Sequence, residues 1–256
     1  MLQIRNLTKR YAGTLALDDL SLTIPHGSMI AVIGRSGAGK STLLRLLNRL
    51  IEPSAGTIAF DDQEITRLSG AALRRWRAQA AMIFQGYNLS PRLDVLTNVL
   101  IGASTEIPQA RRLLRIYTRE ERLRAASILD DLDMVEKALE RAERLSGGQQ
   151  QRVAIARALM QSPRIILADE PVASLDPQNT RVVMDTLKWI NRERGITVLC
   201  NLHSLELARS YADHVVALKD GRLEFEGNVA ELTGESLSTV YGGTPETEEK
   251  KVLEVA

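Results

Sequence analysis

Cysteine is almost missing from this chain: among 256 residues the only one is Cys200, inside the apolar run Ile196-Thr197-Val198-Leu199-Cys200. No intrachain disulfide can form and no cysteine-rich zinc site can be built. A buried strand thiol in a reducing compartment is the expectation. Long apolar runs are missing too. Nothing approaches the roughly 18 consecutive apolar residues of a membrane-crossing helix, and runs such as Met29–Ile33 and Ile165–Ala168 have strand length. Charge of one sign is not in excess either. The 33 Lys and Arg against 32 Asp and Glu leave a net charge of +1, which argues against a protein held to nucleic acid by a strong positive field. The opening MLQIRNLTKRY alternates charged and apolar residues and lacks the pattern of a signal peptide. Repeats and low-complexity tracts are absent. These absences together lead to the expectation of a soluble, cytoplasmic chain whose role at any membrane comes through another polypeptide.

What is present fits a folded protein. Apolar residues are 44% and charged residues 25% of the chain, a globular balance rather than a disordered one. The length allows one large domain or two modest ones, with a core that needs no covalent staples. Leu2–Asn6 and Leu20–Ile24 alternate as strands, and Pro25-His26-Gly27 breaks the chain before the continuous apolar strand Met29–Ile33. After a glycine-rich loop, Ser41–Leu50 places leucines at 43, 44, 46, 47 and 50, the pattern of a buried helix. Gly56–Phe60 and Ala81–Phe84 read as further strands.

From about Leu93 to Leu139 the composition turns to Leu, Ala, Arg and Glu, which predicts an all-helical insertion. Within it, Thr118-Arg119-Glu120-Glu121 is a capping box opening a helix that runs to about Asp131. Alternation of strand and helix then resumes. Arg164–Ala168 is a strand, Asp176-Pro177 an N-cap and first-turn proline, Gly195 a helix end and Ile196–Asn201 the next strand. Val215–Leu218 and Arg222–Glu226 flank the turn Lys219-Asp220-Gly221 as a hairpin. The expected organisation is a discontinuous α/β core over 1–88 and 141–242, a helical subdomain over 89–140, and a flexible tail over 243–256.

Gly34-Arg35-Ser36-Gly37-Ala38-Gly39-Lys40-Ser41, followed by Thr42, fits G-x-x-x-x-G-K-[ST] between a strand and a helix. The residue types follow from phosphate chemistry. Glycines let backbone N–H groups turn onto phosphate oxygens, and the following helix aims its positive dipole end at them. Lys40 supplies an ammonium for the β- and γ-phosphates, and the Ser41 hydroxyl is a hard ligand for Mg²⁺. Asp169 and Glu170 emerge from the end of the apolar strand 165–168, where ligand crevices of parallel sheets lie. Asp169 is placed to hold Mg²⁺ and Glu170 to act as general base on the attacking water.

Leu145-Ser146-Gly147-Gly148-Gln149 opens a second helix with the same anion-binding physics. Two phosphate-binding helix starts with one Walker-type lysine are reconciled by a head-to-tail dimer. Each ATP then lies between one chain's loop and the other chain's Ser146 segment.

GRSGAGKS, Gln85, LSGGQQQR, ILADEP, SLD and His203 stand in the order found in the ATP-binding-cassette (ABC) ATPases, and the resemblance covers residues 1–242. It implies an α/β, RecA-like P-loop NTPase core with an antiparallel β subdomain and an all-helical insertion. By matching position, Tyr11 resembles the aromatic that stacks on adenine. Gln85 resembles the loop glutamine that senses the γ-phosphate and Mg²⁺, and His203 the switch histidine. Ser174-Leu175-Asp176 resembles the loop that meets the opposite subunit, while Asp176 can also cap its helix. His26 and His214 are read as structural. The resemblance further implies ATP as substrate, a second copy of the chain, integral membrane permeases and an extracytoplasmic solute-binding protein as partners. It places the chain peripherally on the cytoplasmic face of the membrane, without nucleic acid. Arg74, Arg75 and Arg77 beside Trp76 read as a solvated helix face.

Finer resemblance points to importers of phosphonates or related phosphorus oxyanions. It rests on Met82-Ile83-Phe84-Gln85, Tyr87-Asn88-Leu89, Arg92-Leu93, Val95–Leu100, ADEPVASLDP and Asn201-Leu202-His203, with Leu207-Ala208-Arg209 and Tyr211-Ala212-Asp213 downstream. Departures from that pattern are Gly86 in place of glutamine, Ser90-Pro91 ahead of Arg92, and Ser204 after the histidine.

Overall fold

The structure is a computed structural model that describes residues 1–105, 107–233 and 240–241; the tail expected over 243–256 lies outside the described residues. Two compact units divide the chain, Met1–Ser69 with Thr197–Ala256, and Gly70–Ile196. In chain order the first unit contributes β1 (Leu2–Tyr11), β2 (Thr14–Ile24), β3 (Met29–Ile33), α1 (Lys40–Leu47), β4 (Ala55–Phe60) and β5 (Gln63–Glu64). The second holds α2 (Gly70–Gln79), β6 (Ala80–Ile83), α3 (Val95–Leu100), α4 (Gln109–Leu113), α5 (Arg119–Asp130), α6 (Gly147–Leu159), β7 (Ile165–Ala168) and α7 (Pro177–Arg194). The chain returns to the first unit with β8 (Thr197–Asn201), α8 (Leu205–Tyr211), β9 (His214–Lys219) and β10 (Arg222–Asn228). None of the described helices is long and apolar enough to cross a membrane.

The first unit contains two sheets. One is antiparallel, ordered β2-β1-β4-β5. β1 and β2 both run further than alternation alone suggests, because the period-2 pattern breaks at Asn6. Asn6 and Asp19 both take left-handed backbone, φ 51° and 52°, at a register shift between Ile4 and Leu7. Short polar side chains tolerate that conformation, and Asn6 Nδ2 donates to Asp19 Oδ1 across the irregularity at 2.8 Å. The other sheet runs β10-β9-β3-β8, with β3 parallel to both β8 and β9. β3 and β8 are buried at every position, which is why they read as unbroken apolar runs.

α1 stops earlier than its leucines imply. Leu43, Leu44, Leu46 and Leu47 are buried, but Arg49 turns left-handed at φ 59° and leaves Leu50 44% exposed. Arg49 is held there by its guanidinium, which donates to Ile65 O and pairs with Glu52.

In the second unit β6 and β7 pair in parallel, and helices carry nearly everything else. Thr118 caps α5 in a reciprocal capping box with Glu121, as its sequence predicts. Asp176 caps α7, Pro177 opens it, and Gly195 closes it at φ 62°. In α2, Trp76 is buried while Arg74 and Arg75 face solvent.

Candidate functional site

In the first unit β3 ends at Ile33 and the phosphate-type loop follows. Gly34, Gly37 and Gly39 all lie at positive φ. At Gly39 nothing but glycine fits: φ is 100°, and a Cβ would stand 2.8 Å from Leu17 Cδ2 and 2.5 Å from Ala16 O. Gly39 is also the N-cap of α1 and brings no side chain to its first amides. Ala38 O accepts from Gly221 N at 3.2 Å, tying the loop to the β9–β10 turn.

Lys40 is 5% exposed. Its Nζ donates to Gly34 O at 2.7 Å and Arg35 O at 3.0 Å, which centres the ammonium under the loop. A cleft of about 100 Å³ lies against the loop, lined by Arg35, Ser36, Ala38, Lys219, Asp220 and Val240. Ser41 and Thr42 occupy the first turn of α1, half-buried.

The strand next to β3 carries His203. Val32 pairs with Asn201 in parallel register, and Leu202 N donates to Val32 O at 3.1 Å. His203 is exposed just beyond that pair. Ser204, a departure in sequence, caps α8 by accepting from Leu207 N at 3.2 Å, so its hydroxyl has a local use. Tyr11 ends β1 with its ring 41% exposed, and the Lys9 ammonium stands 4.8 Å from the ring centroid. His214 opens β9, and His26 packs edge-on against Phe60 with ring centroids 5.3 Å apart.

In the second unit the same strand-end logic holds. Ile83 pairs with Ala168, and Asp169 N donates to Ile83 O at 2.9 Å. Gln85 and Glu170 each follow that last pair by two residues. Asp169 is 4% exposed. Glu170 is half-buried in left-handed backbone at φ 52°, a strained conformation of the kind that collects at functional sites.

Leu145 is buried, and Ser146 starts α6 with a reciprocal capping box. Ser146 Oγ accepts from Gln149 N at 3.4 Å, and Gln149 Oε1 accepts from Ser146 N at 3.0 Å. Gly148 is required by crowding, since a Cβ there would overlap the Asn179 side chain of α7. Ser174 is exposed at φ 89°, and Leu175 approaches Gly147. Asp176 accepts from Asn179 N at 2.9 Å and Gln178 N at 3.0 Å. The Asn179 backbone and side-chain donors hold the Asp176 carboxyl below the usual carboxylate range.

The family model for ABC transporters matches residues 17–173, more than half of the chain. The chain belongs to the ABC transporter family. Curated relatives of this ABC protein include a phosphonates import ATP-binding protein of Rhodopseudomonas palustris, 56% identical over 94% of this chain and 89% of the relative. Another, from Rhizobium meliloti, is 49% identical over 97% of this chain and 89% of the relative. Among solved structures, the dimeric ATP-binding cassette MJ0796 bound to ADP and Pi matches with TM-score 0.79 and 35% identity. That match covers 90% of this chain and 99% of the other. The ADP conformation of the cassette MJ1267 matches with TM-score 0.80 and 28% identity over 98% of both chains. The fold of the ABC protein is thus that of ATP-binding cassettes, as the sequence resemblance implies.

Sequence reasoning did not find Arg157, Asn98 or the bends at Tyr87 and Asn88. Arg157 donates to Tyr87 O and Asn88 O, while Asn98 holds Ser90. The one signal available was turn-forming Gly86 and Asn88 directly after Gln85. At Gly86 itself a Cβ would meet open space, so the departure there carries no steric demand.

Proposed function

We propose that this chain is the ATP-hydrolysing subunit of an importer of phosphonates or related phosphorus oxyanions, working as a head-to-tail dimer beneath membrane permeases. The observation that carries the reading is the 56% identity to a phosphonates import ATP-binding protein over 94% of the chain. The ordered loop, strand-end acids and second glycine-rich helix start give that likeness its chemistry. The α/β core is assigned to 1–88 and 141–242, and the helical subdomain that meets the permease to 89–140.

The reaction is in-line transfer of the γ-phosphoryl group of ATP to water, where catalysis is chiefly positioning and charge stabilisation. Residues Gly34 to Thr42 wrap the phosphates with backbone N–H groups. The Lys40 ammonium, held at the loop's centre by two carbonyls, sits where the β- and γ-phosphates bear charge. Tyr11 offers its exposed ring to the base. Glu170 takes the proton of the attacking water, Gln85 orients the γ-phosphate end of the site, and His203 reports the γ-phosphate to β8. The other chain's Leu145 to Gln149 segment closes over the same phosphates, and Ser174, Leu175 and Asp176 meet the partner.

By resemblance to the ABC ATPases, the Ser41 hydroxyl, the Asp169 carboxylate and the Gln85 amide oxygen are the groups that would hold Mg²⁺, a hard donor set suited to that ion. The ion would contribute charge neutralisation of the β- and γ-phosphate oxygens.

The test is reconstitution of the chain with its cognate permeases and solute-binding protein in vesicles, with ATP hydrolysis measured against candidate solutes. Stimulation by an alkylphosphonate, phosphite, hypophosphite or phosphate is expected. Stimulation only by solutes without phosphorus would overturn the substrate class, and hydrolysis indifferent to the permeases would overturn the transport role.

A further inference from the structure

The peptide that follows Gln85 is folded against its own preference. Tyr87 and Asn88 are consecutive left-handed residues, φ 58° and 51°. Asparagine tolerates this backbone; tyrosine rarely adopts it. One side chain spans both. Arg157, in the last turns of α6, donates Nη2 to Tyr87 O at 2.9 Å and Nη1 to Asn88 O at 2.5 Å. The planar fork of the guanidinium serves the two carbonyls from two separate nitrogens at a fixed spacing, which the single nitrogen of an ammonium does not have. Burial lowers the Arg157 pKa, so these two carbonyls offset desolvation of a charge that stays in place at neutral pH.

The same peptide also reaches the other end of α6. The Tyr87 hydroxyl stands 2.9 Å from the position a Cβ on Gly147 would take. Gly147 and Arg157 are ten residues apart, roughly 15 Å along a helix. The bend at 87–88 therefore lies along the helix that Ser146 opens. A second fastening follows. Asn98 of α3, 1% exposed, accepts from Ser90 N at 2.8 Å and donates to Ser90 O at 3.1 Å and Asp94 O at 3.0 Å. Between these points the peptide has little independent freedom.

We propose that Arg157 is a positioning residue: by holding Tyr87 and Asn88 in left-handed backbone, it sets the direction in which Gln85 leaves β6 and couples Gln85 to the helix that begins at Ser146. The assignment rests on the reading of Gln85 given above. In this assignment Arg157 acts through Gln85. Its loss should therefore lower turnover and leave nucleotide affinity alone, whereas a residue that only packs the helix would change stability and not the relation to Gln85.

The experiment uses the full chain assembled with its permeases and binding protein, and compares Arg157→Lys, Gln85→Ala and the double variant. Arg157→Lys is expected to lower kcat by up to about 10²-fold, the cost of a misplaced reacting group, with KM for ATP within about twofold of wild type. The double variant is expected to be no slower than Gln85→Ala alone. Asn88→Val leaves Arg157 in place but puts a β-branched residue where left-handed backbone is needed. It should reproduce the kcat loss even if Arg157→Lys fails to fold. Asn88→Gly should recover part of the rate in the Arg157→Lys background. Wild-type kcat in both Arg157→Lys and Asn88→Val, or losses that multiply in the double variant, would overturn the proposal while leaving Gln85 in its role. Wild-type kcat in Gln85→Ala would instead overturn the reading of Gln85, and the proposal with it.

Discussion

Gly34 and His203 follow the carboxyl ends of neighbouring parallel strands, each two residues past Val32 and Asn201, the pair that ends the β3–β8 ladder. Gln85 and Glu170 repeat the relation in the other unit, each two residues past the paired Ile83 and Ala168. Parallel strands deliver their following residues to one edge of the sheet, which is why such edges hold ligands.

Lys40→Ala removes the ammonium that Gly34 O and Arg35 O hold beneath the loop. ATP affinity, measured by titration calorimetry, is expected to fall by at least about tenfold, the scale of a charge-assisted contact. Unchanged affinity would contradict the loop assignment.

Glu170→Gln keeps the shape of the side chain and removes its basicity. Turnover is expected to fall by about 10²-fold or more, the usual contribution of a general base, while ATP binding persists. Size-exclusion chromatography should then show an ATP-dependent dimer. Hydrolysis at the wild-type rate would exclude Glu170 as the base.

The features legible in the sequence are those written in short windows. The loop of residues 34–41, the Thr118 capping box, the Asp176-Pro177 helix start and the fully buried β3 depend on residues within a few positions of each other. Three boundaries were misplaced where a left-handed residue interrupts the pattern: Asn6 hides the length of β1, Asp19 that of β2, and Arg49 ends α1 before Leu50. The fastening of Tyr87 by Arg157 was illegible for a different reason. It joins residues seventy positions apart through a backbone carbonyl, and a carbonyl leaves no mark on residue identity.

Asp176 gives a pH signature. Its carboxyl is held below the ordinary range, first by the Asn179 backbone N–H and then by the Asn179 side chain. A lowered folded pKa means the cap's contribution is complete above the unfolded value of about 3.9 and fades as pH drops through the folded value. The Tm difference between wild type and Asp176→Ala is therefore expected to be constant from about pH 5 to 7 and to shrink below about pH 4. A difference that grew toward acid would contradict the assignment.

The composite dimer site is tested most directly by mixing two damaged chains. Lys40→Ala spoils the loop and Ser146→Ala the second helix start, so each homodimer has two defective sites. In a head-to-tail mixed dimer both lesions fall in one site, and the other is whole. An equal mixture should then hydrolyse ATP at about a quarter of the wild-type rate, since half of the dimers are mixed and each carries one intact site. A mixture that ran only at the average of its two components would show that no site is shared between chains.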